Sequence, residues 1–296
     1  MTTNKIYNSK MKSQHLKHIA ELNLAMLFIS TSGVLGRYIS MTPTVTIWWR
    51  SLFAAILLGA FCWYKKIDLK ISTKKDKKTI LLSGLLFGTH WVTYFYALQL
   101  SNVAIALLSV FTYPVITALL EPLFFKTKLN LKHVFLGFVV LVGIYFLMPD
   151  LNIENNYTKG VLFGIFSAIA YAIRNILLKK KIGQYHGSML MFYQMIIIVI
   201  FLSPVLFVFE FNVSFNDWKA LIVLALVTTA IGHTLFVMSF KNFSIGTISI
   251  MSSVQPIYGI LLGMLLLNEI PAATTIIGGV LILATVVIES IHSQKN

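Results

Sequence analysis

The sequence predicts an all-α integral membrane protein whose ten transmembrane helices form two inverted five-helix repeats. Its composition is the first indication, because 57% of the 296 residues are hydrophobic, only 11% are charged and the mean hydropathy is +0.81. Soluble domains carry about 25% charged residues. The second is that apolar runs recur at about 20 residues, the length that crosses a ~30 Å hydrocarbon core. The third is that lysine and arginine concentrate in alternate loops.

Ten apolar segments follow a basic tail at residues 1–17. The apolar–polar alternation of a membrane barrel is missing from stretches such as Met195–Phe201, so each segment is expected to be a helix. The first five lie within 18–149 and the second five within 157–291. Their predicted bounds are 18–39, 45–64, 78–100, 102–125, 131–149, 157–180, 187–209, 217–240, 245–268 and 272–291.

The orientation follows from where the charges lie. Basic residues fill the tail, the Lys65–Lys78 loop and Lys179–Lys181, whereas loops of the other parity carry acidic residues such as Asp150, Glu210 and Glu269. Because basic loops remain cytoplasmic, we expect a multi-pass protein of the cell's inner (plasma) membrane with both termini inside. The net charge of +14 then indicates contact with the anionic inner leaflet of the lipid bilayer, not with nucleic acid.

The two halves also match each other as repeats. An offset of 142 residues pairs Pro114 with Pro256 and Ala104 with Gly246 without gaps. Equivalent loops differ in charge, since Lys126 and Lys128 occupy the region that Glu269 occupies in the second half. An odd number of helices per repeat places equivalent loops on opposite sides of the membrane, so the repeats are expected to be inverted.

Two short patterns carry a resemblance to a known family. Trp48–Ala55 is similar to an Arg-containing, Phe/Ala-rich second helix, and Pro256 followed by Leu267-Asn268-Glu269-Ile270-Pro271 is similar to a Pro…Gly-Glu-Arg pattern. The chain thereby resembles the ten-helix drug/metabolite transporters with two EamA domains. It departs from them at Ile270, where Arg is usual, and at Thr127, where Glu would fall. The resemblance implies a secondary carrier, often an exporter of amino acids or other small metabolites.

Polar residues beside mid-helix prolines are the leading substrate-site candidates. Tyr113 precedes Pro114 and Gln255 precedes Pro256, and each proline removes a helix hydrogen bond near mid-depth. We expect the two side chains to face each other, although the prolines could serve packing alone. Polar groups in hydrocarbon are costly unless they line a cavity or pair across helices. On that ground the further candidates are His90, Trp91, Tyr94, Ser109, Tyr171, Asn175 and Tyr258.

Charged and titratable residues are candidates for gating or coupling. Arg37 and Arg174 lie late in the first helix of each repeat and could be paired gates, could attract a substrate carboxylate, or could extend to the interface. Arg50 follows two tryptophans and is interpreted as an interfacial anchor. Glu121 is either a coupling carboxylate or part of an ion pair near Lys126. His90 could carry a proton, bind substrate or tie two helices together, and His233 is its approximate counterpart.

These features predict a secondary transporter of small polar metabolites, such as amino acids, that exports them by alternating access. We expect a small-molecule substrate, a monomer or homodimer, no enzymatic activity, no cofactor and no metal ion. The single cysteine, Cys62, excludes an intramolecular disulfide. The alternative is a membrane-embedded lipid-modifying enzyme, which needs clustered catalytic groups near an interface.

Overall fold

The computed structural model describes residues 2–126, 131–148, 150, 152–179, 181–209, 213–243, 248 and 251–293. Within these ranges the regular structure is entirely helical. The sequence-based interpretations of Thr127, Lys128, Glu210 and Gly246 concern residues outside them.

Helices follow one another along the chain with short connections. The first half contains α1 (Thr2–Tyr38), α2 (Pro43–Tyr64), α3 (Lys74–Leu100), α4 (Val103–Val110), α5 (Tyr113–Phe125) and α6 (Leu131–Leu147). The second half contains α7 (Asn156–Lys179), α8 (Gly187–Leu202), α9 (Phe215–Val223), α10 (Thr234–Ser239), α11 (Val254–Leu267) and α12 (Ala273–Ser293). A 3₁₀-helix, Ser203–Phe207, extends α8, and a π-helix, Leu224–His233, joins α9 to α10.

Seven helical segments in the described part of the chain are long and apolar enough to cross a membrane. They are Leu16–Tyr38, Pro43–Tyr64, Lys74–Leu100, Val103–Phe124, Asn156–Lys179, Gly187–Phe207 and Phe215–Ser239. Three shorter apolar helices are Leu131–Leu147, Val254–Leu267 and Ala273–Ile288. The prediction of an all-helical, multi-pass membrane protein is confirmed.

Both prolines coincide with the start of a helix. The fourth predicted helix divides at Phe111 and Thr112, after which α5 begins with Tyr113 and Pro114. Pro114 has no N–H to donate to the carbonyl of Val110, so the α-helical ladder cannot pass this point. In the second half α11 begins at Val254, just before Pro256.

Two helices differ from their predicted form. The eighth segment contains the π-helix, within which the hydroxyl of Thr229 donates to the carbonyl of Leu224 at 3.1 Å, five residues earlier. Thr229 also accepts from Arg50, a contact between distant parts of the chain that sequence periodicity does not report. The amino-terminal tail is helical too, as the first turns of α1, where a separate tail at 1–17 was predicted.

The contacts of α3 fix the directions of its neighbours. Gly160 near the start of α7 packs against Ser101 after α3, and Lys181 after α7 pairs with Asp76 at the start of α3. α7 is therefore antiparallel to α3. Arg37 at the end of α1 donates to the carbonyl of Gln99 at the end of α3, at 3.1 Å, so α1 runs parallel to α3. The first helices of the two halves thus run in opposite directions.

Each proline-broken helix packs along the first helix of the other half. α4 and α5 pack along α7, with Ser109 against Gly164 and Tyr113 against Tyr171. α11 follows α1, where the hydroxyl of Ser30 donates to the carbonyl of Gln255 at 3.0 Å. The space between these helix pairs and α3 is the centre of the molecule.

A buried polar cavity as the candidate substrate site

A small cavity lies where α1, α3, α4, α5, α7, the π-helix and α11 meet. Residues from both halves of the chain line it, which places it at the junction of the two predicted repeats. Seven of the residues predicted from sequence are among those lining it: His90, Trp91, Tyr94, Tyr113, Tyr171, His233 and Gln255. The structure thus brings together Tyr113 and Gln255, as expected of the two residues that precede the prolines.

Tyr113 lines both this cavity and a second one. The second cavity is also small and is lined by Thr117 and Asn175 as well, which lie closer to the carboxyl ends of α5 and α7. The rings of Tyr113 and Tyr171 meet edge to face with centroids 4.9 Å apart.

His90 is held by α7. Its Nδ1 lies 2.7 Å from the hydroxyl of Ser167, and the same hydroxyl lies 2.8 Å from the His90 carbonyl. Its ring stacks on Tyr171 with centroids 4.3 Å apart. The residue both connects two helices and presents its ring to the cavity, so this geometry agrees with the structural and the substrate-contacting interpretations alike.

Two polar atoms at the cavity have no hydrogen-bond partner among the described residues. They are Oη of Tyr94 and Nδ1 of His233, whose residues are 6% and 4% exposed. A buried polar atom left without a partner costs about 1–3 kcal/mol. Because both residues line the cavity, a ligand bound there could supply the missing partners.

Two arginines stand behind the cavity wall. Both are 0% exposed, so Arg50 is not the interfacial anchor that was predicted and Arg174 does not extend to the interface, whereas a gating role for Arg174 stays a prediction. The Arg50 guanidinium lies 3.8 Å from the Trp91 ring centroid, and that of Arg174 lies 4.0 Å from Phe87. Trp91 and Phe87 are themselves in contact, with centroids 4.1 Å apart. A continuous stack therefore links the two cations.

The hydrogen-bond partners of these arginines are all neutral. Arg50 donates to Thr229 at 2.7 Å and to Ser32 at 3.4 Å, and its Nη2 has no partner within the described ranges. Arg174 donates to Gln194 at 3.0 Å and to Asn175 at 2.9 Å. The sequence did contain a signal for Arg50, since it lies eight residues into a 22-residue apolar helix.

Ser109 and Tyr258, also predicted as site residues, lie elsewhere. The hydroxyl of Ser109 donates to the carbonyl of Ile105 in its own helix at 2.7 Å, and its Cβ packs on Gly164. Tyr258 is half-buried and lines neither of the two central cavities. Helical spacing indicated both residues, but it does not determine which face meets the cavity.

The remaining predicted charges form ion pairs at the two ends of the molecule. Arg37 Nε lies 2.8 Å from Oε1 of Glu269, whose Oε2 accepts from the backbone N–H of Val103 at 2.8 Å. Glu121 pairs with Lys179 at 4.0 Å, where a neighbour near Lys126 was predicted. Since α1 and α7 are antiparallel, the two pairs lie at opposite ends of α3.

The lipid-enzyme alternative requires clustered catalytic or metal-binding groups. Among the described residues there is no group of three or more His, Cys, Asp or Glu side chains that could hold a metal ion. The structure therefore offers no observation that favours this alternative.

Comparison with known proteins agrees with the helical architecture. The uncharacterized transporter YxxF of Bacillus subtilis is 25% identical over 97% of this chain and 93% of its own length. The pseudopaline exporter CntI of Pseudomonas aeruginosa is 22% identical over 69% of this chain and 71% of its own length. A solved crystal structure that is 16% identical superimposes with a TM-score of 0.68, covering 94% of this chain and 99% of that one.

A family model covers nearly the whole sequence in two parts. The model of the EamA-like transporter family matches residues 19–148 and again residues 158–291. With this match, the relatives named as transporters and the membrane-spanning helices, the protein is a multi-pass membrane transporter. The chain belongs to the EamA-like transporter family.

Proposed function

We propose that the protein is a secondary transporter that exports small polar metabolites, such as amino acids, by alternating access. The observation that carries this proposal is the central cavity, which is lined by residues of both halves, among them His90, Tyr113 and Gln255. Substrate sites of secondary transporters lie near mid-membrane at the junction of structural repeats. The resemblance to a protein named as an exporter supports the direction.

The transport unit in this proposal has ten transmembrane helices in two inverted repeats. Counting α4 with α5, α8 with its 3₁₀ extension, and α9 with the π-helix and α10 gives five helices in each half. Inversion is supported by the antiparallel course of α1 and α7 and by the antiparallel course of α4 and α11, whose residues Val103 and Gly263 are in contact. The basic loops support cytoplasmic termini, an inner-membrane location and contact with anionic lipid.

The two terminal ion pairs serve as the gates in this mechanism. Arg37 and Lys179 are equivalent at the 142-residue offset, and each pairs with a carboxylate of the other half, Glu269 and Glu121 respectively. On the proposed topology the Arg37 pair lies at the outer face and the Lys179 pair at the inner face. The ion pair of Arg37 is shorter than that of Lys179, and its partner Glu269 also accepts from the first N–H of α4. We therefore assign this conformation as one closed toward the outside.

Counterflow in proteoliposomes tests the carrier function. Wild-type protein loaded with a defined metabolite mixture is expected to exchange at least one small polar metabolite with the medium. Tyr113→Leu and Gln255→Leu are expected to slow that exchange by about tenfold or more, because each removes a polar contact from the cavity wall. Lys75→Met, at the exposed start of α3, is the control. If no metabolite is exchanged, or both cavity variants match wild type, the proposal is wrong.

A further inference from the structure

The middle of this protein holds positive charge without negative charge. Eight of the ten acidic residues have described side chains, and each lies in a loop or within six residues of the end of a candidate span. They are Glu21, Asp68, Asp76, Glu121, Asp150, Glu154, Asp217 and Glu269. Of the other two, Glu210 directly follows the predicted span 187–209, and Glu289 lies two residues before the end of the predicted span 272–291.

Arg50 and Arg174 are therefore buried cations whose partners are neutral oxygens, sulfur and aromatic rings. Burial of an ionised group without a counter-ion is strongly unfavourable. Ionisable groups retained within a membrane domain mark substrate or ion pathways for this reason. A guanidinium also matches a carboxylate better than any other side chain does, through its fixed fork of donors.

Arg50 contacts residues that line the cavity. Ser32 accepts from Nη1 of Arg50, so its own O–H remains available to donate into the cavity. Tyr94 has an unpartnered hydroxyl and His233 an unpartnered ring nitrogen, and both residues line the cavity. Three residues with hydrogen-bonding groups thus line the cavity beside the arginine stack, and the oxygens of one carboxylate could pair with such groups.

We propose that the cavity binds the carboxylate group of the transported metabolite, with Ser32, Tyr94 and His233 as its hydrogen-bonding contacts and Arg50 and Arg174 as its counter-charges. This inference rests on the proposed carrier function and adds the charge class of the substrate to it. The aromatic side chains Trp91, Tyr113 and Tyr171 also line the cavity. The proposed substrate is therefore a small carboxylate whose remainder can contact aromatic rings.

Matched pairs of compounds test the charge preference on the wild-type protein. Proteoliposomes receive a defined mixture of amino acids, their primary amides, small dicarboxylates and quaternary amines, and accumulation is followed by mass spectrometry. Every accumulated compound is expected to carry a carboxylate, and each amide is expected to move about tenfold or more slowly than its acid. Accumulation of amides or quaternary amines at equal rates would overturn the carboxylate site while leaving the carrier function intact.

Binding of the same compounds to the purified protein distinguishes failure of the carboxylate site from failure of the carrier function. If no compound accumulates, the carrier function is rejected. The carboxylate site is still supported in that case if the acids, but not their amides, raise the thermal stability of the purified protein. Absence of stabilisation by the acids rejects the site as well. Arg50→Lys, which keeps the charge, is expected to retain more transport than Arg50→Met, and Lys75→Met serves as the charge-removal control. Equal rates for the two Arg50 variants would contradict a counter-charge role.

Discussion

Arg37 and Glu269, 232 residues apart in the chain, form a 2.8 Å ion pair at the carboxyl end of α3. The carboxylate simultaneously accepts from the backbone of Val103 at the start of α4. One side chain therefore joins α1, α4 and the segment after α11, elements contributed by both halves of the protein.

Exchanging the charges of Arg37 and Glu269 in a double variant is expected to restore only part of the transport that is lost in the single variant Arg37→Glu. Arg37→Glu alone should shift the protein away from the conformation closed at this end, because two carboxylates would then face each other. Adding Glu269→Arg restores the attraction, but arginine cannot accept from the Val103 N–H. A Ser32→Cys reporter in a Cys62→Ser background, labelled from outside by a membrane-impermeant thiol reagent, measures the shift.

The same exchange between Lys17 and Glu21, an exposed pair within α1, is the control and should leave labelling unchanged. Equal labelling of wild type and the Arg37→Glu variant would exclude this pair as a gate.

Glu121→Gln is expected to shift the protein in the opposite direction. It removes the 4.0 Å pair with Lys179 at the other end of α3, so conformations open at that end gain population. Labelling of the Ser32→Cys reporter from outside should then fall, whereas Arg37→Glu raises it. Changes of the same sign in both variants would show that the two pairs do not act as opposed gates.

Arg50→Met is expected to abolish transport without lowering the thermal unfolding midpoint. A buried, uncompensated cation is unfavourable, and replacing buried ionic groups with apolar side chains of similar volume is often neutral or stabilising by about 1–4 kcal/mol. Differential scanning fluorimetry of the purified variant measures the midpoint. A fall of several degrees would mean that Arg50 chiefly supports the packing of α2 against Trp91.

Tyr94→Phe and Tyr258→Phe form a matched pair, since each removes one phenolic hydroxyl. Tyr94 presents its hydroxyl at the cavity, whereas Tyr258 lines neither central cavity. Counterflow should slow by about tenfold for the first variant, as expected for a lost hydrogen bond to a charged group, and stay unchanged for the second. Equal behaviour of the two variants would remove Tyr94 from the site.

Gly164→Ala is expected to destabilise the protein by about 1–3 kcal/mol through overpacking. A Cβ at this position would lie 2.4 Å from Cβ of Ser109, an atom that cannot move without its helix. Gly183→Ala is the control, because an added Cβ there meets nothing within 4 Å. The difference in unfolding midpoint between the two variants measures how closely α4 packs on α7.

The sequence predicted the helices and the cavity-lining residues better than it predicted which charged residues pair with each other. The proline positions predicted that the fourth helix loses a hydrogen bond and bends at Pro114, where the structure ends α4 and begins α5. They also predicted that Tyr113 and Gln255 face each other, and both residues line the central cavity, because these properties depend on local chemistry. The partner of Glu121 was assigned to the nearby Lys126 region, whereas the structure pairs it with Lys179 from the other half. Pairing between distant helices depends on packing, which periodicity in one sequence does not record.

Arg50 shows the same limit in a different way. The two preceding tryptophans suggested a membrane interface, but Trp48 and Trp49 are buried or half-buried, and Trp49 packs on Trp218. An aromatic pair before a cation is typical both of an interface and of a cation–π core, and only tertiary contacts distinguish them.

The uncompensated arginines also have a consequence for the energy source of transport. A cell's interior is electrically negative, and moving one elementary charge through 100 mV is worth about 2.3 kcal/mol. A substrate with one net negative charge, seated beside Arg50 and Arg174, would be driven outward by the membrane voltage alone, up to a concentration ratio of roughly fortyfold at 100 mV. Export of such an anion would need no co-transported ion.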